Sequence, residues 1–325
     1  MHVTREMIHP ELRSAGTLVR ILLPGFSERK FHLAKIMLKP LQGRCRCRLR
    51  YEQKLITRPD GSRLRICIYA PQSPQTAVPG LLWIHGGGYA LGTPEQEEWF
   101  IRQFIAASGC VVVSPDYRLS VDAPYPAALE DCYAALLWLK EHGRDYGMRA
   151  DQIMVGGASA GGGLTAAVTL VARERQEVAI AFQMPLYPML DDRMNTASAA
   201  DNDAPLWNSQ SNRISWQLYL GNWFGRPDVP AYAAPARAAD YSRLPPACSY
   251  VGSIEPFRDE AIAYFDRLRA CGIPVHFRVF DGCFHGFDHV CAYTAIAREA
   301  VAFLMDGFRY ATAHYYAEQP AESKD

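Results

Sequence analysis

The sequence predicts an α/β protein with a mostly parallel central sheet and helices on both faces. Three observations carry that prediction. Short apolar runs such as Leu81–Ile84, Val111–Val113 and Ile153–Val155 have the length and side-chain character of strands covered on both sides. Longer runs with helical texture, Glu97–Ser108, Ala127–Glu141 and Leu164–Arg173, fall between or after them, and such alternation builds parallel sheets through crossover helices. Two of the strands also run straight into glycine-rich turns, at 86–88 and 156–163, where a backbone can bend tightly or approach a ligand.

In chain order, residues 1–50 are helix-like, with Phe31, Ile36, Met37 and Leu38 set among Lys30, His32, Lys35 and Lys39. This amphipathic face is able to pack on another element. The basic run Arg44, Arg46, Arg48 and Arg50 reads as a solvated strand edge or linker. From residue 51 the texture changes. A turn at Pro59–Gly61 leads into a strand at Leu64–Tyr69, and the apolar runs named above follow. Ala179–Met184, Cys248–Val251 and Val275–Phe280 are the later strands, and Arg258–Ala270 and Ala295–Phe308 the last helices. Residues 188–236 break the alternation. They are polar, aromatic and irregular, and read as an insertion between core strands.

With 325 residues, 49% hydrophobic and 21% charged, the chain has the balance of a large globular protein. Lys plus Arg equals Asp plus Glu at 34 each, so no overall charge points to nucleic acid or an acidic membrane. Met1–Glu6 holds an acid and no apolar core, unlike a secretory signal, and no apolar run approaches the roughly 18–20 residues of a membrane span. The expectation is a soluble, cytoplasmic protein without nucleic-acid or membrane partners. The nine cysteines lie mostly in apolar runs, as reduced core thiols do. Cys45 and Cys47 are too close and too isolated for a zinc site, and no metal is expected. Cys283 reads as a small packing residue.

The chemistry centres on Gly157-Ala158-Ser159-Ala160-Gly161. A Gly-x-Ser-x-Gly at a strand-to-helix turn leaves no room for bulk two residues either side of the serine, and pushes the hydroxyl out above the sheet. His85-Gly86-Gly87-Gly88-Tyr89 follows its strand directly. There the N–H groups of Gly87 and Gly88, with that of Ala160, are candidates to hold an oxyanion. No lysine follows these glycines as a phosphate loop would require. His285 follows the last strand, so its loop and that of Ser159 converge on one rim. A carboxylate must orient that histidine. Glu255, at the end of the Cys248–Val251 strand, is favoured over Asp259 and Glu260 at the next helix start and over Asp281.

Together, His85–Tyr89, Asp116–Leu119 with Tyr125–Asp131, Gly157–Gly162, Glu255–Glu260 and His285–Phe287 resemble the hormone-sensitive-lipase-like esterases, from about residue 60 to the end. The resemblance implies an α/β-hydrolase fold, with core segments 51–187 and 237–325 and a helical cap from 1–50 plus 188–236. It implies a serine carboxylesterase needing no cofactor, a small-molecule ester as substrate, and a homodimer as one open assembly. Two positions depart from the family pattern. Ala158 stands where the family usually has Asp or Glu, and Glu255 where it usually has Asp. Tyr89, Trp207 and Trp216 are expected in the substrate pocket, with short to medium acyl chains preferred. An amidase, arylformamidase or peptidase shares these motifs; a non-catalytic small-ligand receptor on the same fold typically lacks the histidine.

Overall fold

The computed structural model describes residues 1–46, 48–58 and 60–320. Cys47 of the Cys45–Cys47 pair and Pro59 of the expected 59–61 turn lie outside the described residues. The strands are β1 (Arg50–Thr57), β2 (Arg63–Ala70), β3 (Val78–Ile84), β4 (Val111–Pro115), β5 (Met148–Ala158), β6 (Phe182–Leu186), β7 (Ala247–Gly252) and β8 (Val275–Phe280). They form one sheet in the order β1-β2-β4-β3-β5-β6-β7-β8. The pairs β1·β2 and β2·β4 are antiparallel, and every pair from β4·β3 to β7·β8 is parallel. The α-helices are α1 (Arg13–Leu22), α2 (Glu28–Leu38), α3 (Glu98–Ser108), α4 (Ala127–His142), α5 (Ala160–Arg175), α6 (Ser209–Leu220), α7 (Arg258–Ala270), α8 (Phe287–Val290) and α9 (Ala295–His314).

Strand alternation sorts the core side chains to the two faces. Leu81 and Trp83 of β3 join Phe100, Phe104 and Phe308 in one apolar cluster. Leu82 and Ile84 join Leu136 and Leu139 of α4 in the other. The expected α/β architecture is therefore present, with three differences in its elements. β1 had no buried-strand pattern to give it away, because it is an edge strand whose residues are exposed or half-buried. β5 runs through eleven residues, of which the apolar Ile153–Val155 is only the middle. α5 begins at Ala160, four residues before the first large apolar side chain. Its glycines are set by close approach: a Cβ on Gly161 would lie 2.1 Å from the Ile84 carbonyl oxygen, and one on Gly163 2.2 Å from that of Met189.

Residues 1–50 and 188–236 pack on each other. The Asn208 side-chain amide donates to the Pro24 carbonyl at 2.9 Å, and the Phe26 N–H donates to Ser211 Oγ at 2.9 Å. Phe26 stacks on Phe31 and lies 5.9 Å from Trp207, centroid to centroid. Among the described residues, no helix is long and apolar enough to cross a membrane.

Candidate active site

Ser159 sits where β5 turns into α5. Its backbone has φ +60° and ψ −119°, a conformation that an L-residue holds only where its surroundings fix it. The Ser159 N–H donates to the Leu186 carbonyl at 3.0 Å. A Cβ on Gly157 would come within 2.5 Å of the Ile84 carbonyl oxygen and 2.6 Å of that of Gly161, so the turn closes only with glycine at both flanking positions.

His285 lies in the loop between β8 and α8, and its Nε2 is 2.8 Å from Ser159 Oγ. Its Nδ1 is hydrogen-bonded to the Glu255 carboxylate. Glu255 lies three residues beyond β7, and its Oε1 accepts the N–H of Gly252, the last residue of that strand, at 2.8 Å. That return toward the strand end accommodates the extra methylene of glutamate. Burial pushes the Glu255 carboxyl up, while the His285 imidazole and the Gly252 N–H pull it back down. The other acids face elsewhere. Asp259 accepts from the Ser198 N–H and Arg258, Glu260 from the N–H groups of Leu190 and Asp191, and Asp281 from the Ser253 hydroxyl. Phe257 and Tyr187 meet the His285 ring edge-on at 5.1 and 4.9 Å.

The Gly86–Gly88 loop lies against the serine. A Cβ on Gly86 would be 3.4 Å from Ser159 Cβ and 2.8 Å from the Ala158 carbonyl oxygen. Gly87 has φ +121° and Gly88 φ +59°. Among the described residues, the N–H groups of Gly87, Gly88 and Ala160 have no protein acceptor. Ser215 of α6 donates its hydroxyl to the Gly88 carbonyl and so holds the loop from above. His85 supports it from below, with Nδ1 2.9 Å from the Gly86 carbonyl oxygen and its ring stacked on Tyr117 at 4.1 Å. Burial lowers its pKa.

A cavity of about 260 Å³ opens beside Ser159 and His285, lined by the Gly86–Gly88 loop, Phe26, Glu97, Tyr187, Leu206, Trp207 and His289, among others. Of the three expected pocket residues, Trp207 lines it. Tyr89 and Trp216 lie outside its lining. Tyr89, at φ +60°, stacks on Tyr219 at 3.8 Å and donates its hydroxyl to the Met189 carbonyl, and Trp216 packs on both tyrosines. These rings fasten α6 to the core. Sequence reasoning passed over Glu97 and Tyr187. Tyr187 had a usable signal, since it directly follows β6 at the rim where the other loops meet. Glu97 stands in the acid-rich run Glu95–Glu98 with nothing to single it out. Cys283 is buried, and burial pushes its thiol pKa up, so it packs as a small apolar residue.

A serine hydroxyl touching an imidazole that a carboxylate holds, beneath uncommitted backbone donors, defines a class: hydrolases of the α/β type that act on acyl compounds. Comparison with known proteins narrows it. A family model described as the alpha/beta hydrolase fold matches residues 81–289. Esterase LipI of Mycobacterium tuberculosis is 35% identical over 244 residues, covering 74% of this chain and 75% of its own. An arylesterase of Saccharolobus solfataricus is 32% identical over 233 residues, 69% of this chain and 72% of its own. The solved structure of a bacterial heroin esterase superposes with a TM-score of 0.87 at 34% identity, covering 95% of this chain and 99% of that one. The chain belongs to the hormone-sensitive-lipase-like family of α/β-hydrolases and is a carboxylic ester hydrolase.

Proposed function

We propose that the protein hydrolyses short- to medium-chain carboxylic esters through an acyl-enzyme intermediate, with Ser159 as nucleophile, His285 as general base and acid, and Glu255 as the group that orients His285. The observation that carries this reading is the 2.8 Å contact between Ser159 Oγ and His285 Nε2 at a strained strand-to-helix turn. Ser159 attacks the ester carbonyl as His285 takes its proton. The N–H groups of Gly87, Gly88 and Ala160 hold the oxyanion, each worth roughly 3 kcal/mol in comparable sites. His285 then protonates the leaving alcohol, and water activated by the same imidazole releases the acid. Glu255 stabilises the imidazolium at each step.

Residues 1–50 and 188–236 form the cap in this reading, supplying Phe26, Leu206 and Trp207 to the cavity wall. A cavity of about 260 Å³ supports small acyl groups over long ones. Assay of wild type and Ser159→Ala against para-nitrophenyl esters of increasing chain length tests the scheme. The variant should fall to background and lose labelling by a fluorophosphonate, and wild-type kcat/KM should peak at short or medium chains. Near-normal turnover by the variant removes Ser159 from the mechanism, and a maximum at long-chain esters removes the chain-length assignment.

A further inference from the structure

We infer that the cavity beside Ser159 selects esters bearing a cationic group, and that Glu97 sets this preference. This rests on the reading of Ser159 as nucleophile and names the substrate class within it. Glu97 lines the cavity and is 2% exposed. Its carboxylate receives only donors: the Trp83 indole N–H at 3.0 Å, the Gln96 amide at 3.1 Å and, at a longer 3.5 Å, the Gly86 N–H. Every hydrogen-bond partner of this carboxyl is a donor, and none offers an acceptor. Among the described residues, no lysine or arginine lies within ion-pair distance of it. The half-buried Arg65 is engaged by Glu95 and Asp116.

The rest of the wall reinforces the sign. Among the described residues, its lining contains no lysine or arginine, and His285 and His289 are its only groups able to become positive. Behind it, Asp288 accepts the hydroxyls of Tyr187 and Tyr250 through one oxygen and leaves the other without a partner, and Glu255 is shared with His285. Phe26, Tyr187 and Trp207 add aromatic faces, which attract cations. An uncompensated carboxylate in an apolar, aromatic cavity favours a weakly hydrated cation and opposes a second anion. An ammonium group on the alcohol or acyl side of a bound ester meets that demand.

The test uses three phenyl acetates whose para substituents are similar in size and separated from the ring by a methylene: trimethylammoniomethyl, neopentyl and sulfomethyl. At about pH 8 histidine as a residue type is uncharged, so wild-type kcat/KM should favour the cationic ester over the neutral one by about tenfold, mainly through KM, and disfavour the anionic one by a similar factor. In Glu97→Gln the cationic-to-neutral ratio should fall to about two or less. Equal rates in wild type, or a ratio unchanged in Glu97→Gln, overturn the inference. Calorimetric titration of wild type with benzyltrimethylammonium reads the same preference without turnover or a variant. Saturable binding supports it, and no binding beside normal hydrolysis of the neutral ester overturns it while leaving the esterase reading intact. Binding without turnover of any ester overturns the esterase reading instead.

Discussion

Two regions meet at Ser159, and they are built differently. The rim formed by the loops after β3, β5, β7 and β8 is held by backbone. Glycines at 86, 157, 161 and 163 stand where a Cβ would lie under 3 Å from a carbonyl oxygen, and Ser159 takes the strained conformation that this crowding imposes. Segments 1–50 and 188–236, the cover in the proposed reading, are held by side chains: stacked rings at Phe26–Phe31 and Tyr89–Tyr219, and side chain-to-backbone hydrogen bonds such as Asn208 to Pro24. They also leave Ile21 and Met37 about 70% exposed. Backbone contacts fix atoms to tenths of an ångström because they cannot rotate away. Side-chain contacts can be exchanged for others of similar volume. Chemistry that needs fixed geometry belongs to the first region, while the second adds the exchangeable side chains Phe26, Leu206 and Trp207 to the cavity wall.

The largest expected effect lies in the rim. In Glu255→Gln the amide NH₂ faces His285 Nδ1, which then favours the tautomer protonated on Nε2, and that nitrogen no longer accepts the serine proton. A loss of about 10⁴ in kcat is expected, as for such a replacement in other triads, with an unchanged melting temperature. Activity within tenfold of wild type would shift the orienting role to another group. Next comes Gly161→Ala. The new methyl would stand 2.1 Å from the Ile84 carbonyl oxygen and 2.6 Å from that of His85, both backbone atoms of the central strand and its turn. Destabilisation of at least about 3 kcal/mol in urea unfolding is expected. A cost below about 1 kcal/mol would show that the rim is as adaptable as its cover.

The same division explains what could be read from the amino-acid order. The alternation of buried strands with helices, and the glycines flanking Ser159, were legible because backbone packing dictates residue type at fixed spacing. His285 and Glu255 stood out by position, each just past a strand end on one rim. The aromatic residues of the cover were legible as a group and not individually. Trp207 faces the cavity while Tyr89 and Trp216 fasten α6, and composition carries no direction for a ring. β1 was invisible because a half-exposed edge strand needs no apolar run. Glu97 was hidden among three other polar residues of Glu95–Glu98, since only the fold shows that it and Gln96 line the cavity.

One buried carboxylate ties the two regions together, and its effect should be smaller and dependent on pH. Glu95 accepts hydrogen bonds from Arg65 of β2, the Thr93 hydroxyl and the Gly43 N–H of the N-terminal segment. Burial alone would raise its pKa, but the Arg65 and Thr93 contacts and the Gly43 N–H outweigh it and bring the value from 4.5 to about 2. A carboxyl whose pKa is lower folded than unfolded adds stability that is complete above 4.5 and is lost as pH falls toward about 2. Glu95→Gln should therefore lower stability at neutral pH and flatten its decline between those values. Parallel slopes for variant and wild type would mean that the N-terminal segment is not anchored to the rim by this charge.

The smallest effect is expected on the outer face of the cover. Ile21 of α1 and Met37 of α2 are 71% and 70% exposed, so each already leaves most of its apolar surface in water and has little burial to lose. Ile21→Ser and Met37→Ser should each change unfolding free energy by no more than about 0.5 kcal/mol and leave kcat/KM on a short ester unchanged. Both faces point away from the backbone contacts that hold Ser159, which is why neither stability nor chemistry should register the change. A loss well beyond that limit, at low protein concentration, would mean that these side chains are buried by something in solution. The cover would then be a packed surface as constrained as the rim, and the division between the two regions would not hold.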